Sequence, residues 1–158
     1  MKKYILSENF IEAESTGKRL YQIIATKSFS DVEKGEFGGY VEGEKNLCQH
    51  GNCWIHDDAQ VFDDAQICEN AIIAGDAQIS GKAEVHDDAI VSDNVKLSDN
   101  VIIAGKASIY DNAKLLGNAR VCDNVLVFNN AVASGNVILS GNAKNIWSCK
   151  NFRECTCM

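Results

Sequence analysis

The residues best able to do chemistry are three histidines and seven cysteines. Two histidines and one cysteine are evenly spaced, because Cys68 lies midway between His50 and His86 in the sequence. Imidazole and thiolate groups are common zinc ligands, and a histidine can act as a general base when a partner orients it. These three residues can act together only if the secondary structure brings their side chains close to one another.

Composition restricts the possible classes of protein. The chain has 158 residues, a formal charge of −7 and 46% hydrophobic residues, as one soluble globular domain has. An acidic surface disfavours direct binding to nucleic acid, whose phosphates attract basic residues. No apolar run has the roughly 20 residues that a membrane helix needs, and the start MKKYILSENF becomes polar too early for a secretion signal. We therefore expect no membrane partner and a cytoplasmic location, in a bacterium or, for a phage protein, in its host.

An unbroken repeat of six residues organises the chain from Leu47 to Asn142, in sixteen units. The first place is Ala in ten units and Val in four, and the third place is Ile, Val or Leu in fourteen. Apolar residues in alternation predict a short strand with one buried face. A unit of this size cannot bury its apolar face alone, so successive coils have to stack and share a core.

The last two places of each unit predict a corner after the strand. The fifth place is Gly or Asp in fourteen units, and the sixth is Asn in ten. These residues tolerate left-handed backbone angles, and Asp and Asn also bond their own main chain. Each unit is therefore predicted to be a strand followed by a tight corner.

Units such as VSDNVK, IYDNAK and LLGNAR resemble the hexapeptide repeat of left-handed β-helix proteins. This resemblance implies an all-β fold, a single-stranded left-handed parallel β-helix with three units per coil and about five coils over residues 47–142. Open β-helix ends expose unpaired strand edges, so both ends need a cover. We expect an N-terminal β-hairpin cap over residues 1–46 and a C-terminal cap or tail over 143–158, with Trp147 and Phe152 as a lid.

The segment before the repeat, SDVEKGEFGGYVEGEKNLCQHGNCW, is similar to that of small bacterial and prophage hexapeptide-repeat proteins described as transferase-like. Many members of the wider family are acyltransferases, in which a long loop interrupts the coils and carries a catalytic histidine. Nothing interrupts these sixteen units. We therefore expect no catalytic residues and no cofactor, with an acyltransferase-like enzyme as an alternative.

In such a β-helix His50, Cys68 and His86 are each one full coil apart, which places them in one outward column with neighbours about 4.8 Å apart. A straight column does not surround an ion, and a fourth ligand would have to come from elsewhere. The prediction is therefore that the protein holds no metal, with these three side chains as the candidates if it does.

The cysteines are expected to be reduced thiols, as in a cytoplasmic protein. Cys53 occupies an inward place and is predicted to fill the core. Cys68 and Cys122 share a column but lie about 14 Å apart, too far for a disulfide. Three tail cysteines are close enough in sequence for a bridge or a metal to remain open: Cys149, Cys155 and Cys157.

Six aspartates form an acidic surface at the corners of the early coils. A rod with regularly spaced carboxylates can imitate a nucleic-acid backbone, which would suit a viral or prophage inhibitor of a host defence factor. Binding of a signalling molecule would serve the same purpose. The alternative is that Asp is present for its turn chemistry. The six residues are Asp57, Asp58, Asp63, Asp64, Asp87 and Asp88.

One side of the predicted prism carries apolar residues at its outward places, interrupted by Ser92 and Ser108. Contiguous exposed apolar surface marks a contact site. We predict a non-catalytic scaffold that binds a protein partner or a further copy of itself there, and the resemblance favours a trimer. The alternative is that the N-terminal hairpin or the tail covers this side. The candidate interface residues are Ile72, Ala74, Ile90, Tyr110, Leu126 and Phe128.

Overall fold

The computed structural model describes residues 1–144 and the backbone of two further strands near the C-terminus. The N-terminal segment forms an antiparallel hairpin, as predicted, and a third strand runs antiparallel to the second strand of that hairpin. A short 3-10 helix at Glu44–Asn46 then leads into the repeat. The first three strands are β1 (Tyr4–Glu12), β2 (Arg19–Ala25) and β3 (Phe37–Val41).

Short strands, each followed by a corner, make up the repeat. The first residue of each strand points outward and the second is buried, because side chains alternate across a strand. In chain order β4 to β18 are Trp54–Ile55, Gln60–Val61, Gln66–Ile67, Ile72–Ile73, Gln78–Ile79, Glu84–Val85, Ile90–Val91, Lys96–Leu97, Ile102–Ile103, Ser108–Ile109, Lys114–Leu115, Arg120–Val121, Leu126–Val127, Val132–Ser134 and Ile138–Leu139. The strands β19 (Ile146–Lys150) and β20 (Thr156–Cys157) complete the described chain.

Each strand from β4 to β15 pairs in parallel with the strand three places further along, so the chain winds into a three-sided solenoid. Sheet 1 contains the hairpin, β3, β5, β8, β11, β14, β17, β19 and β20. Sheet 2 contains β4, β7, β10, β13 and β16, and sheet 3 contains β6, β9, β12, β15 and β18. Partners in the repeat are separated by three complete units, as Ile72 and Ile90 are. The predicted all-β stack with three units per turn is confirmed.

The core runs along the solenoid axis. From Ala59 to Val137, the first and third residues of every unit are at most 1% exposed. Cys53 is also fully buried, as its inward place predicted. Small residues at the first place and branched aliphatics at the third therefore fill the interior in layers.

Parallel stacking begins before the first unit that the sequence identified. Tyr40 in β3 lies opposite Gln60, and Leu47 lies opposite Ile67, so both pairs are separated by two positions more than the regular pairs. Trp54 pairs with Ile72 at the regular spacing. The two additional residues are taken up between Leu47 and Trp54. Including β3 and β19, the solenoid has about six turns, one more than the sequence predicted.

Side chains of the N-terminal segment close the first end of the solenoid. The Lys3 ammonium is buried and donates to the Cys53 carbonyl oxygen at 2.9 Å, and the Tyr4 hydroxyl donates to the Leu47 carbonyl oxygen at 2.7 Å. Burial lowers the pKa of Lys3 and raises the pKa of Tyr4. These groups satisfy carbonyls that face no further coil, so the hairpin segment serves as a cap.

At the other end, the backbone of β19 pairs in parallel with β17, and β20 pairs antiparallel with β19. The predicted lid of Trp147 and Phe152 and the cluster of tail cysteines lie outside the described residues or side chains. Among the described residues, the chain forms no helix with the length and apolar character required to span a membrane.

Replacing Ala113 with leucine should lower the free energy of unfolding by about 1–3 kcal/mol, because the larger side chain overpacks a filled layer. Ala113 is fully buried. Chemical denaturation monitored by circular dichroism measures the change. The control is Lys114→Leu, the same new side chain on the exposed neighbour, which should have a small effect. Equal stabilities of Ala113→Leu and wild type would contradict the layered packing.

Candidate functional site

Three of the six predicted surface aspartates have structural tasks at the corners. Asp57, Asp63 and Asp87 occupy fifth places with positive φ angles of 53°, 58° and 59°. The carboxylate of each accepts a hydrogen bond from the backbone amide at the same corner of the next coil, at 2.9, 3.1 and 2.7 Å respectively. These contacts are the turn chemistry expected of Asp, and they tie successive coils together.

The other three aspartates are exposed sixth-place residues. Asp64 forms a salt bridge with Lys45 at 2.8 Å, and Asp88 accepts a hydrogen bond from the Asn70 amide at 3.0 Å. Asp58 projects from the same corner as Asp57. Much of the acidic surface is therefore engaged within the chain, and recognition of a partner by these carboxylates stays a prediction.

The contribution of Asp63 to the stability of the fold depends on pH. Its carboxylate contacts the Lys18 ammonium at 2.7 Å, and this contact, assisted by the Gly81 amide, lowers the pKa of Asp63 below its ordinary value of 3.8. A carboxyl with a lowered pKa in the folded state stabilises the fold above its unfolded pKa, and this contribution is lost as the pH falls through the lower, folded value.

Asp63→Asn should therefore be less stable than wild type at neutral pH, and the difference should shrink as the pH falls below 3.8. Denaturant unfolding at a series of pH values tests this expectation. Asp58→Asn, an exposed carboxyl on the same surface, is the matched control. A difference that stays constant down to strongly acidic pH would show that Asp63 acts through something other than its charge.

The evenly spaced column of His50, Cys68 and His86 is not present as predicted. The offset before Trp54 brings Cys48 beside Cys68, and the two form a disulfide with a Cα–Cα distance of 5.0 Å. The expectation that these thiols are reduced was wrong, because counting in complete units from Leu47 missed the two-residue shift. A disulfide sulfur is no longer a thiolate, so Cys68 is not available as a metal ligand.

His86 instead has two acidic neighbours. Its Nδ1 lies 3.4 Å from a carboxylate oxygen of Asp87, and a Glu69 carboxylate oxygen lies within 4.8 Å of both groups. Both carboxylates already accept corner amides, Glu69 from the Asp87 backbone and Asp87 from the Gly105 backbone. We assign this cluster a structural role at the corner, because both of its carboxylates accept backbone hydrogen bonds and the group is open to solvent.

The six candidate interface residues lie on the outward side of sheet 2, which we call the apolar face. Ile72, Ile90 and Leu126 occupy one line of the sheet, with Ser108 between Ile90 and Leu126, and Ile90 is 42% exposed. The rings of Tyr110 and Phe128 are stacked in the next line, with centroids 5.1 Å apart and planes inclined by 2°. This stacking fixes two large side chains in one orientation.

The N-terminal segment covers only the beginning of the apolar face. Phe29 packs edge-on against Trp54, with ring centroids 5.4 Å apart, and Trp54 is 1% exposed. Beside this contact lies a pocket of about 310 Å³, which we call the head pocket. Ser30 and Asp31 form one of its walls. Sequence reasoning did not find this pocket, because Ser30 and Asp31 belong to a segment without a repeat.

Six-residue units, with parallel strands that pair across three of them, give this chain the architecture of hexapeptide-repeat β-helix proteins. No protein-family model matches the chain. Over 63 residues the chain is 46% identical to the Escherichia coli (strain K12) protein named "Uncharacterized acetyltransferase YdcK". The match covers 36% of this chain and 19% of that relative, so it concerns a small part of the relative's length.

Proposed function

We propose that the protein is a non-catalytic binding scaffold that associates with further copies of itself through the apolar face. The observation that carries this proposal is the outward line of Ile72, Ile90 and Leu126 beside the stacked Tyr110 and Phe128. Aromatic and aliphatic side chains of this kind anchor protein interfaces. Because the sheet behind them is built from stacked coils, the face is rigid before it meets a partner.

The distribution of charge favours another copy as the occupant. The outward residues of sheet 2 and of the line beside its strands, from Trp54 to Phe128, include one histidine, His56, and no Asp, Glu, Lys or Arg. By contrast, sheet 1 presents Lys96 and Lys114, and sheet 3 presents Glu84 and Arg120. An uncharged face can pack against its own copy without burying an unpaired charge, which would be costly. The trimer is the state that the resemblance to hexapeptide-repeat proteins implies.

Acetyl transfer is the activity named for the partial relative, and it is the alternative function. In the described repeat, every strand has two or three residues and leads directly into a corner, so no long loop projects from residues 53–142. General base catalysis requires a histidine near the reacting hydroxyl. His86 lies against corner carboxylates that the fold already uses. Saturable binding of acetyl-CoA in calorimetry would support this alternative over the scaffold.

The double variant Tyr110→Lys, Leu126→Glu should convert an oligomer into folded monomers, because it places two charges in the centre of the apolar face. Light scattering coupled to size-exclusion chromatography measures the mass, and circular dichroism verifies folding. The control is Gln78→Lys, Lys114→Glu, which introduces the same two residue types on sheet 1. It should keep the oligomer.

A monomeric wild-type protein would exclude self-association. If only the sheet 1 control lost the oligomer, the interface would lie on sheet 1 and not on the apolar face. If the Tyr110→Lys, Leu126→Glu variant unfolds, Ile90→Ser gives a milder test at the exposed residue of the same face, and an undiminished oligomer in that variant would count against the proposal.

A further inference from the structure

An open groove of about 740 Å³ runs along the outward side of sheet 1 and the corner that precedes it, and we call it the lysine groove. It crosses three successive coils, which are about 4.8 Å apart. Each coil contributes a corner asparagine and the outward strand residue that follows it. The three pairs are Asn94 with Lys96, Asn112 with Lys114, and Asn130 with Val132.

The two ammonium groups of the lysine groove have no counterion in the described part of the chain. Lys96 and Lys114 lie opposite each other on β11 and β14, and neither forms a salt bridge with another described residue. The acidic residues of the same corners, Asp93 and Asp111, accept backbone amides of the next coil at 3.1 and 2.8 Å. Like charges on neighbouring strands repel each other, so a bound anion would stabilise this pair.

The asparagines of the lysine groove also differ from those at the other two corners. Elsewhere, stacked asparagines bond one another along the solenoid axis: Asn100 donates to Asn118 at 3.0 Å, Asn118 donates to Asn136 at 2.8 Å, and Asn124 donates to Asn142 at 3.1 Å. The three asparagines of the lysine groove are stacked in the same way and are exposed, but within the described chain their side chains form no such bonds. Their carboxamides are therefore available to a ligand.

The polar groups of the lysine groove match the chemistry of an acidic sugar. A carboxamide donates through its nitrogen and accepts through its oxygen, and a hydroxyl group also does both. A phosphate group supplies mainly acceptor oxygens and would leave the carboxamide oxygens without a partner. An ammonium group pairs with a carboxylate. Because the groove is open along its length and repeats from coil to coil, it suits an extended chain of similar units.

We propose that the lysine groove binds an acidic oligosaccharide that lies along the solenoid axis. Carboxylates of two neighbouring sugar units pair with Lys96 and Lys114, and sugar hydroxyls bond the asparagine carboxamides of the same coils. The C–H face of the next unit packs on Val132, which is half-buried. This site goes beyond the scaffold role proposed above, since it lies on sheet 1 and none of its residues belongs to the apolar face.

Trigalacturonate is a suitable probe, because each of its sugar units carries a carboxylate and free hydroxyls. Titration should produce a saturable shift of the Asn112 carboxamide signal in a ¹H–¹⁵N spectrum, and an Asn112→Ala variant identifies that signal by its loss. Galactotriose has the hydroxyls without the carboxylates, so it should bind at least tenfold more weakly. Glutarate has two carboxylates without the hydroxyls and should also bind several-fold more weakly.

The double variant Lys96→Gln, Lys114→Gln should weaken trigalacturonate binding by about tenfold or more, because it removes both charges and keeps polar side chains. Calorimetry measures the affinity. The matched control is Lys82→Gln, Lys106→Gln, which removes two exposed charges at corners outside the groove. The control should bind as wild type does.

Asn112→Ala should weaken trigalacturonate binding by about threefold or more, because the sugar hydroxyls lose the central carboxamide. Its control is Asn118→Ala, which removes a carboxamide from the bonded column at another corner. That variant should keep the wild-type affinity. Circular dichroism verifies that each variant is folded.

Four results would overturn this proposal: no saturable shift of the Asn112 signal, equal binding of galactotriose, unchanged affinity in the Lys96→Gln, Lys114→Gln variant, or tighter binding of inorganic diphosphate than of trigalacturonate. The last result would assign the groove to phosphate ligands instead.

The test is independent of self-association. The Tyr110→Lys, Leu126→Glu variant retains every residue that lines the lysine groove, so it should bind trigalacturonate as a monomer. Conversely, Lys96→Gln, Lys114→Gln should lose the sugar and keep the oligomer. Failure of the scaffold role would therefore leave sugar binding intact, and the reverse also holds.

Discussion

Simultaneous replacement of Cys48 and Cys68 by serine should lower the free energy of unfolding of the oxidised protein by about 3 kcal/mol. The disulfide joins residues separated by 20 positions, and a loop of that length loses this much conformational freedom in the unfolded chain. It also closes the segment in which the repeat has its two additional residues. Urea unfolding of the variant and of wild type, both without reductant, measures the difference.

The control for this substitution is Cys122→Ser, which replaces a free, half-buried thiol on another coil. Its stability should stay within about 0.5 kcal/mol of wild type. Addition of a reductant should bring wild type down to the stability of the Cys48→Ser, Cys68→Ser variant and leave that variant unchanged. If alkylation and mass spectrometry find both thiols free in air-oxidised protein, the disulfide is excluded.

Replacing Asn46 with leucine should lower the free energy of unfolding by about 3 kcal/mol or more, because three backbone groups lose their partners. Asn46 is fully buried. Its amide donates to the carbonyl oxygens of Asp63 and Ala65 at 3.1 and 2.9 Å, and its carbonyl oxygen accepts from the Gly43 amide at 3.0 Å. In the regular coils, backbone amides of the preceding coil fill the role that this side chain has here.

Asn94→Leu is the matched control for Asn46→Leu. Asn94 is an exposed corner residue, so the same change of side chain there should alter stability by no more than about 0.5 kcal/mol. Denaturant unfolding of both variants gives the comparison. If Asn46→Leu were as stable as Asn94→Leu, the Asp63 and Ala65 carbonyl oxygens would have to find hydrogen-bond donors other than Asn46.

Disulfide formation also bears on where the protein works. The sequence predicted a cytoplasmic protein, whereas stable disulfides are typical of oxidising compartments. The Cys48–Cys68 bridge forms where the fold brings these two residues to a Cα–Cα distance of 5.0 Å. Cytoplasmic location stays a prediction, and the redox state of this pair in cells would test it.

The composition of the apolar face was predictable because it depends only on where each residue stands in the six-residue repeat. A period of six residues fixes which side chains point inward, and three units per turn fix which of them share a side. Ile90 and Tyr110 could therefore be placed on one surface from their positions in the repeat alone. Whether this surface binds another copy is a property of two molecules, and no intramolecular pattern determines it.

The error in the column of His50, Cys68 and His86 has a specific physical cause. Counting in sixes from Leu47 assumes that every coil consists of three complete units, which would place Leu47 opposite Ala65, but Leu47 lies opposite Ile67 instead. Gln49, a polar residue at a predicted inward place, was the signal that the first unit departs from the repeat. The offset replaced the predicted neighbour of Cys68 with Cys48.

The sequence by itself determined the solenoid, its three sheets and its core, because each unit carries the same strand and corner signals and so repeats one local structure. Tertiary structure alone decided what the non-repeating N-terminal segment does. That segment places Phe29 on Trp54, Asp31 at the rim of the head pocket and Lys3 in the end of the solenoid. These contacts join residues far apart in the chain through side-chain shape and hydrogen bonding, and no periodic pattern encodes them.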